Sequence, residues 1–159
     1  MGGSVAILVP LRRMKPPQRV VLATDHAGYI LKEEMKKYLI EQGIDVIDEG
    51  VFSEEPVDYP PIIRRGCARV LEQGCLGIVF GGSGIGEAIA ANKVRGIRAA
   101  RCCCLEDATL CRQHNDANVM SLGGRLLGPA LAKQMVGAFL TTDFEGGRHA
   151  QRVADLEPA

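Results

Sequence analysis

Tryptophan is missing from this 159-residue sequence, and aromatic residues as a whole make up only 4% of it. A net charge is missing as well, because 19 lysines and arginines balance 19 aspartates and glutamates. The chain as a whole therefore has no excess of positive charge that would favour a nucleic acid or an anionic membrane. Nor does it contain an apolar run near the roughly 20 residues of a membrane-spanning helix. We expect neither a nucleic-acid partner nor a membrane partner.

The composition is that of a folded protein of ordinary size. Hydrophobic residues make up 47% and charged residues 24%, which predicts one domain with a real core rather than a disordered chain. An apolar segment over 2–11 precedes its basic residues, the reverse of the order in a signal peptide, and Pro16 and Pro17 then follow. We predict a disordered N-terminal extension over 1–18, a single domain over 19–159 and a cytoplasmic location.

Six cysteines are present, three of them consecutive at 102–104. The chain does not have the character of a small secreted scaffold that depends on disulfides. Zinc sites commonly use separated pairs of ligands, whereas three consecutive residues on a strand point to alternating faces. The cysteines are therefore predicted to be free thiols in a reducing cytosol, with no structural metal.

Strand-like and helix-like segments alternate along the chain. The apolar run 19–24 is typical of a strand covered on both faces, and 28–42 carries a helical stripe that Gly43 closes. A loop is predicted over 50–61, where three prolines act as breakers. Further strands are predicted over 44–48, 76–80, 97–102 and 118–122, and further helices over 62–73, 87–92, 105–112 and 129–140. This order predicts an α/β fold, a three-layer α/β/α sandwich with a five-stranded parallel Rossmann-like sheet and a C-terminal helical tail.

A glycine-rich turn follows the third predicted strand. It reads Gly81-Gly-Ser-Gly-Ile-Gly-Glu87 and opens a helix, so its backbone N–H groups can attract an anion. The dinucleotide fingerprint needs glycine where Glu87 stands, and no Gly-Lys-Ser/Thr ending makes a phosphate-binding P-loop. A carboxylate here would repel a pyrophosphate, but it suits a proton acceptor beside an oxyanion.

Other polar candidates lie directly after the strands, where ligands of parallel sheets bind. Asp25 and His26 follow the first strand, Tyr59 lies in the loop after the second, and Arg125 follows the fifth. Each also has a simpler reading. Asp25 could only cap the helix that follows, and His26 could be a partly buried surface residue.

Two further groups lie late in the chain. Arg148 and Arg152 are four residues apart, so on a helical tail they would share one face and could clamp a phosphate. A solvated basic face is the simpler alternative. His114 suits proton transfer near neutral pH, although its segment could be only the last turn of a helix. The joint occurrence of an acid, an anion cradle, histidines and a basic pair favours catalysis.

Five motifs, in this order along the chain, resemble those of the type B ribose-5-phosphate isomerases and of relatives that act on other sugar phosphates, including galactose 6-phosphate isomerase subunits. The resemblance extends from about Arg19 to Leu156. The motifs are Thr24–Gly28, Val57–Pro60, Gly81–Gly86 with Ala90–Val94, Arg112–Asn118 and Gly146–Arg152.

The resemblance implies an enzyme that interconverts ribose 5-phosphate and ribulose 5-phosphate through a cis-enediolate, in the pentose phosphate pathway, without metal or cofactor. It also implies a homodimer or homotetramer with shared active sites, to which the partner subunit supplies the segment of His114. By resemblance, Asp25, His26 and Tyr59 line the sugar pocket; Ser83 and the backbone of Gly82, Gly84 and Gly86 stabilise the enediolate; His114 opens the ring and Asn115 holds it; Arg148, Arg152 and Arg125 bind the phosphate.

One departure from the family pattern concerns the catalytic base. Many members have a cysteine where this chain has Gly81, whereas another branch has glycine there and a glutamate six residues later. Glu87 stands at that position, so the resemblance implies the glutamate branch and makes none of the six cysteines essential. A partly desolvated carboxyl beside an anion can have its pKa raised toward the working range of a base.

Two alternatives stay open at the level of sequence. A hexose 6-phosphate or a tetrose 4-phosphate would use the same base and anion cradle, and the segment 101–107 could reshape the rim of the pocket. A non-catalytic domain that senses a phosphate or a nucleotide would use the glycine turn and the arginines for binding alone. That alternative gives Glu87 and His114 no purpose.

Overall fold

The computed structural model describes residues 17–158, so the predicted extension lies almost entirely outside the described residues. Five strands form one parallel sheet in the order β2-β1-β3-β5-β4. This confirms the predicted five-stranded parallel sheet. The strands are β1 (Arg19–Thr24), β2 (Asp45–Asp48), β3 (Leu76–Gly81), β4 (Ala99–Arg101) and β5 (Val119–Gly123).

Helices cover both faces of the sheet. One face carries α1, α4 and α5, with α6 packed against α4, and the other face carries α2 and α3. The predicted three-layer α/β/α architecture is thus confirmed, and the tail is helical. The helices are α1 (Tyr29–Glu41), α2 (Tyr59–Gln73), α3 (Ile85–Asn92), α4 (Leu105–Asn115), α5 (Pro129–Thr141) and α6 (Arg148–Ala154), and a 3-10 turn spans His26–Gly28.

The central strands are apolar throughout because both of their faces are covered. In β1, Val20 and Leu22 point into the core beneath α1 and α5, whereas Val21 and Ala23 point into the core beneath α2. Side chains alternate between faces with a period of two, so a strand buried on both sides has no polar positions to spare. The unbroken run seen in the sequence is the direct consequence.

The strand order brings the ends of β1, β3 and β5 side by side. Chain connections leave β1 in one direction and β3 in the other, which makes the β1–β3 boundary a point where ligands bind in sheets of this kind. In register, Thr24 of β1 pairs with Phe80 of β3, and Gly81 of β3 pairs with Gly123 of β5. The loops that follow these strands therefore meet at one edge.

The predicted loop over 50–61 extends too far, because α2 already begins at Tyr59. Pro60 and Pro61 lie in the first turn of the helix, where a residue needs no N–H partner and the fixed φ of proline is helical. These prolines therefore start a helix instead of breaking one. The change matters for the site, because it places Tyr59 on a rigid element.

Two other boundaries place candidate residues. Helix α3 begins at Ile85 rather than at the predicted residue 87, so Glu87 lies within its first turn. Helix α4 continues to Asn115, beyond the predicted end at 112, which puts His114 in its last turn. No helix within residues 17–158 is long and apolar enough to cross a membrane.

Candidate active site

A cavity of about 610 Å³ opens at the carboxyl ends of β1, β3 and β5. It contains eight of the thirteen candidate residues that the sequence predicts, gathered from four separate segments. The lining consists of Asp25, His26, Ala27, Tyr59, Gly82, Ser83, Ile85, Gly86, Glu87, Arg125 and Leu126. Gly84 belongs to the same turn but lies behind the lining, packed on β5.

Glu87 is a carboxylic acid enclosed by the fold, with only 4% of its surface exposed. Its side chain lies directly over the Cα of Gly81, at the place where any larger residue would put its Cβ. Only glycine at position 81 leaves that space for the carboxyl group. The pair Gly81 and Glu87, singled out from the sequence as a mark of the glutamate branch, is therefore one structural unit.

The environment of Glu87 raises its pKa. Burial, which disfavours the charged carboxylate, is the largest cause, and the charge of Asp25 and a side-chain hydrogen bond with it act in the same direction. A hydrogen bond from the backbone N–H of Glu87 opposes them. The net shift makes Glu87 a stronger base than an exposed carboxylate, which is what proton abstraction from carbon needs.

Asp25 caps a turn, which was the simpler alternative that the sequence allowed, and it also lines the cavity. Its Oδ1 accepts hydrogen bonds from the N–H groups of Ala27 (2.9 Å) and Gly28 (3.1 Å) and so caps the 3-10 turn. Asp25 as a whole is 6% exposed, and its carboxyl group lies beside Glu87. Capping and proximity to the acid are compatible, because the cap uses one carboxylate oxygen.

His26 and Tyr59 form one side of the cavity. The Nδ1 of His26 accepts a hydrogen bond from the Val57 N–H at 3.1 Å, so the ring is held as the tautomer with a proton on Nε2. The Tyr59 ring packs on Gly86, where an added Cβ would lie 2.5 Å from the phenolic oxygen. Arg125 reaches in from the loop after β5, with its Nη1 beside Gly82.

The glycine turn 81–84 is held in one shape by its neighbours. Gly84 has a φ of +76°, which a residue with a side chain rarely adopts, and an added Cβ would lie 2.9 Å from the backbone of Leu122. The Oγ of Ser83 accepts a hydrogen bond from the Ile85 N–H at 3.2 Å. The turn thus packs too closely on β5 for any residue but glycine at position 84.

Four predicted site residues lie elsewhere: His114, Asn115, Arg148 and Arg152. Helix α4 starts after the carboxyl end of β4 and runs back toward the amino end of β5. Its 11 residues span about 16 Å, so His114 in the last turn lies toward the opposite edge of the sheet. Helix α6, with both arginines, packs on α4. Within one subunit these residues do not join the cavity around Glu87.

His114 stacks on His149, with ring centroids 4.3 Å apart and 15° between the ring planes. Together with Glu145 they form a group whose possible metal-ligating atoms all lie within 4.8 Å of one another. Imidazole lone pairs lie in the ring plane, so two nearly parallel rings do not aim at one ion. As arranged, the group is a stacked histidine pair beside a carboxylate rather than a metal centre.

The opposite edge of the sheet has a larger cavity, of about 830 Å³. Its charged groups already have partners there: Arg19 binds Asp45 at 2.8 Å, and Arg98 and Arg112 bind Asp116 at 3.1 and 2.9 Å. Three arginines share two aspartates, so these ion pairs leave a single excess positive charge in the lining. Size alone does not make this cavity the site, and the convergence of a buried acid with the glycine turn favours the smaller one.

Several residues that support the site were not predicted as such from the sequence, where Arg101 appeared only as the first residue of a segment that could reshape the rim. Arg101 of β4 donates from Nε to the Ser83 carbonyl at 2.9 Å, and Ser121 of β5 donates to the Gly84 carbonyl at 2.7 Å. Lys32, fully buried, binds Asp48 and the carbonyl of Val51, which holds the start of the loop that leads to Tyr59. Two sequence signals could have identified Ser121 and Lys32: a serine inside the buried strand β5 and a lysine on the buried face of α1.

All six cysteines lie in the described part of the chain and are free thiols. The lining of the cavity around Glu87 includes none of them. Burial raises the pKa of Cys67 to about 12, which keeps that thiol protonated and inert at neutral pH. The consecutive group at 102–104 follows β4, outside the cavity.

Comparison with known proteins gives the same family throughout. A model described as Ribose/Galactose Isomerase matches residues 20–156. Ribose-5-phosphate isomerase B of Escherichia coli is 45% identical over 138 residues, which cover 86% of this chain and 92% of the relative. The protein of the same description from Mycobacterium leprae is 46% identical over 138 residues and 85% of both chains.

Solved structures agree with the sequence relatives. The crystal structure of a ribose 5-phosphate isomerase from Thermotoga maritima has a TM-score of 0.85 at 45% identity, over 87% of this chain and 96% of the other. Ribose-5-phosphate isomerase B from Mycoplasma genitalium, solved with bound ribulose-5-phosphate, has a TM-score of 0.83 at 34% identity, over 87% and 93%. On the match of nearly the whole described chain, this protein belongs to the Ribose/Galactose Isomerase family.

Proposed function

We propose that this protein is an aldose–ketose isomerase that interconverts ribose 5-phosphate and ribulose 5-phosphate, with Glu87 as its base. One observation carries the proposal: the buried carboxyl of Glu87 lies over Gly81, beside Asp25, in the first turn of a helix that follows a glycine turn. The high identity to a ribose-5-phosphate isomerase B supports the choice of substrate. A role in the pentose phosphate pathway and a cytoplasmic location belong to the same proposal.

The reaction follows from the chemistry of the open-chain sugar. Glu87 removes the proton from C2 of the aldose. The electron pair of that C–H bond forms the C1–C2 double bond, and the π pair of the carbonyl group moves to the aldehyde oxygen, which gives an enediolate. Backbone N–H groups of the glycine turn and the Ser83 hydroxyl stabilise the negative oxygen. The protonated Glu87 returns its proton to C1, and the O2 proton passes to O1, which completes the ketose. Atoms and electrons balance within substrate and carboxyl group.

The cavity of one subunit lacks the residues proposed for ring opening and two of the three proposed for phosphate binding. His114 with Asn115, and Arg148 with Arg152, lie away from Glu87, whereas Arg125 lines the cavity. The rim of the cavity carries the exposed apolar side chains of Ile85 and Leu126. A second copy would cover these side chains and bring its own His114 to the cavity, so we propose a homodimer, or a tetramer built from such dimers, with shared active sites.

The substrate is tested directly with a panel of pentose, hexose and tetrose phosphates. We expect ribose 5-phosphate to give the highest kcat/KM, measured as ketose formation by absorbance or by NMR. A clear preference for a hexose 6-phosphate or a tetrose 4-phosphate would move the enzyme to another substrate of its family. Phosphate binding without turnover of any sugar would identify a sensor and would contradict the proposed activity.

The shared site predicts complementation between two inactive variants. Glu87→Gln and His114→Ala proteins are each expected to lose at least about 99% of their activity. After mixed unfolding and refolding, half of the dimers are mixed, and each mixed dimer has one intact site, so about a quarter of the wild-type activity should return. A mixture that stays as inactive as its components would show that both residues serve the same subunit's site.

A further inference from the structure

All four carbonyl groups of the glycine turn are held by hydrogen-bond donors. The main chain holds the first two, because Gly124 N–H donates to the Gly81 oxygen (2.7 Å) and Arg125 N–H to the Gly82 oxygen (3.0 Å). The Ser83 oxygen accepts a hydrogen bond from the Arg101 side chain (2.9 Å), and the Gly84 oxygen accepts one from the Ser121 side chain (2.7 Å) and one from the Ala88 N–H of α3 (3.2 Å). Two of the four carbonyl groups thus receive a hydrogen bond from a side chain on another strand.

The hydrogen bonds to the Ser83 and Gly84 oxygens determine the direction of the N–H groups that follow them in the turn. In a trans peptide the C=O of one residue and the N–H of the next residue point in opposite directions. A hydrogen bond that fixes the carbonyl oxygen therefore also fixes the direction of that N–H. Arg101, by holding the Ser83 oxygen, sets the direction of the Gly84 N–H. Ser121 and the Ala88 N–H together hold the Gly84 oxygen and so set the direction of the Ile85 N–H, which donates to the Ser83 Oγ at 3.2 Å.

Arg101 also affects the surroundings of the base. The Ser83 carbonyl lies four residues before Glu87, where a continuing α-helix would use it as the acceptor for the Glu87 N–H. In the structure Arg101 donates to this oxygen instead. A peptide flip at Ser83 would therefore change the anion cradle directly before the helix turn that carries the base.

We propose that Arg101 and Ser121 are positioning residues of this isomerase, which fix the peptides at Ser83 and Gly84 so that the turn presents donors, and not carbonyl oxygens, to the enediolate. Neither residue lines the cavity, so each acts through the turn. The inference rests on the proposed isomerase function. It predicts a larger effect on the transition state than on substrate binding, because the oxyanion exists only after proton abstraction.

The test compares Arg101→Met, Arg101→Lys and Ser121→Ala with the wild type and with Arg95→Met, an exposed arginine in the turn before β4. Three quantities are measured: kcat and KM for ribose 5-phosphate, the dissociation constant of a planar phosphorylated hydroxamate that mimics the enediolate, and the thermal unfolding midpoint. Arg101→Met should lower kcat about tenfold to hundredfold and weaken the mimic by a similar factor, with KM within about threefold.

Ser121→Ala should lower kcat and the affinity for the mimic by a smaller factor, about threefold to tenfold, because the Ala88 N–H still holds the Gly84 oxygen. Arg101→Lys should keep most of the wild-type kcat because an ammonium can still reach the Ser83 oxygen. Arg95→Met should behave as wild type. Arg101→Met or Ser121→Ala with native unfolding and unchanged kcat and mimic affinity would overturn the proposal, as would equal losses in substrate and mimic binding. If Arg101→Met fails to fold, Arg101→Lys and Ser121→Ala decide by the same readouts. A wild-type protein without isomerase activity would instead overturn the proposed function, and this inference with it.

Discussion

Replacement of Glu87 by glutamine is expected to lower kcat for ribose 5-phosphate by about a hundredfold to ten-thousandfold. The amide keeps the shape of the buried side chain but cannot accept a proton from carbon. KM should change little, because the groups proposed to bind the phosphate and the sugar remain. Steady-state kinetics of the purified variant give both numbers.

The matched control is Glu106→Gln, which makes the same change at an exposed residue in the first turn of α4. Its kcat should equal that of the wild type. A Glu87→Gln enzyme with kcat within threefold of the wild type would remove Glu87 as the base.

The raised pKa of Glu87 gives this prediction a pH dependence. A base is active only when deprotonated, so the wild-type kcat/KM should fall as pH drops through a pKa above that of an ordinary glutamate. The stability of the protein should depend on pH in the opposite direction to its activity. A carboxyl group with a raised pKa in the folded state stabilises the protein at pH values below its unfolded-state pKa, and this contribution is lost as pH rises through the folded-state pKa. Glu87→Gln should therefore raise the unfolding midpoint at pH 7, and this gain should disappear near pH 4.

Replacement of Gly81 by alanine is the second change with a large expected effect. The added methyl group would occupy the space of the Glu87 carboxyl group, whose three atoms are the nearest to that position. The carboxyl must move away from its position beside Asp25, and misplacement of a catalytic group by about 1 Å can cost a hundredfold. We expect kcat to fall at least about a hundredfold, measured in the same assay.

Gly137→Ala is the control for this change. Gly137 lies within α5, where an added Cβ meets the Tyr38 hydroxyl at an ordinary 3.6 Å. Its activity should stay at the wild-type level. In the double variant Gly81→Cys with Glu87→Ala, the cysteine thiol can occupy the space that the Glu87 carboxyl group leaves. The kcat of this double variant should therefore be higher than that of Gly81→Cys alone. Full activity of Gly81→Ala would contradict the spatial exclusion between the two positions.

The fold could be predicted well because its signals are local. The double-sided burial of β1 and β3 produces continuous apolar runs, and glycine closes α1 and α2 at the predicted ends. The error at the start of α2 came from treating Pro60 and Pro61 as breakers without regard to their position. Proline disrupts a helix interior but favours a first turn, and only the helix start itself distinguishes the two.

The site was predictable to the extent that it follows the ends of strands. Asp25, His26 and the glycine turn could be placed together because parallel strands end at one edge. The contact between Glu87 and Gly81 could not be predicted, because it depends on α3 beginning two residues earlier than the sequence pattern indicated. Arg101 and Ser121 act through backbone carbonyls, and hydrogen bonds to a backbone leave no mark in the residue types of the turn.

The central claim is that Glu87 moves a carbon-bound proton within this cavity. The most direct measurement is NMR of ribose 5-phosphate incubated with the enzyme in D₂O, which detects deuterium at the carbon positions of substrate and product. We expect the wild type to incorporate deuterium at C2 of the aldose and C1 of the ketose, and Glu87→Gln to do so at least about a hundredfold more slowly. Exchange by a folded Glu87→Gln protein at the wild-type rate would contradict it.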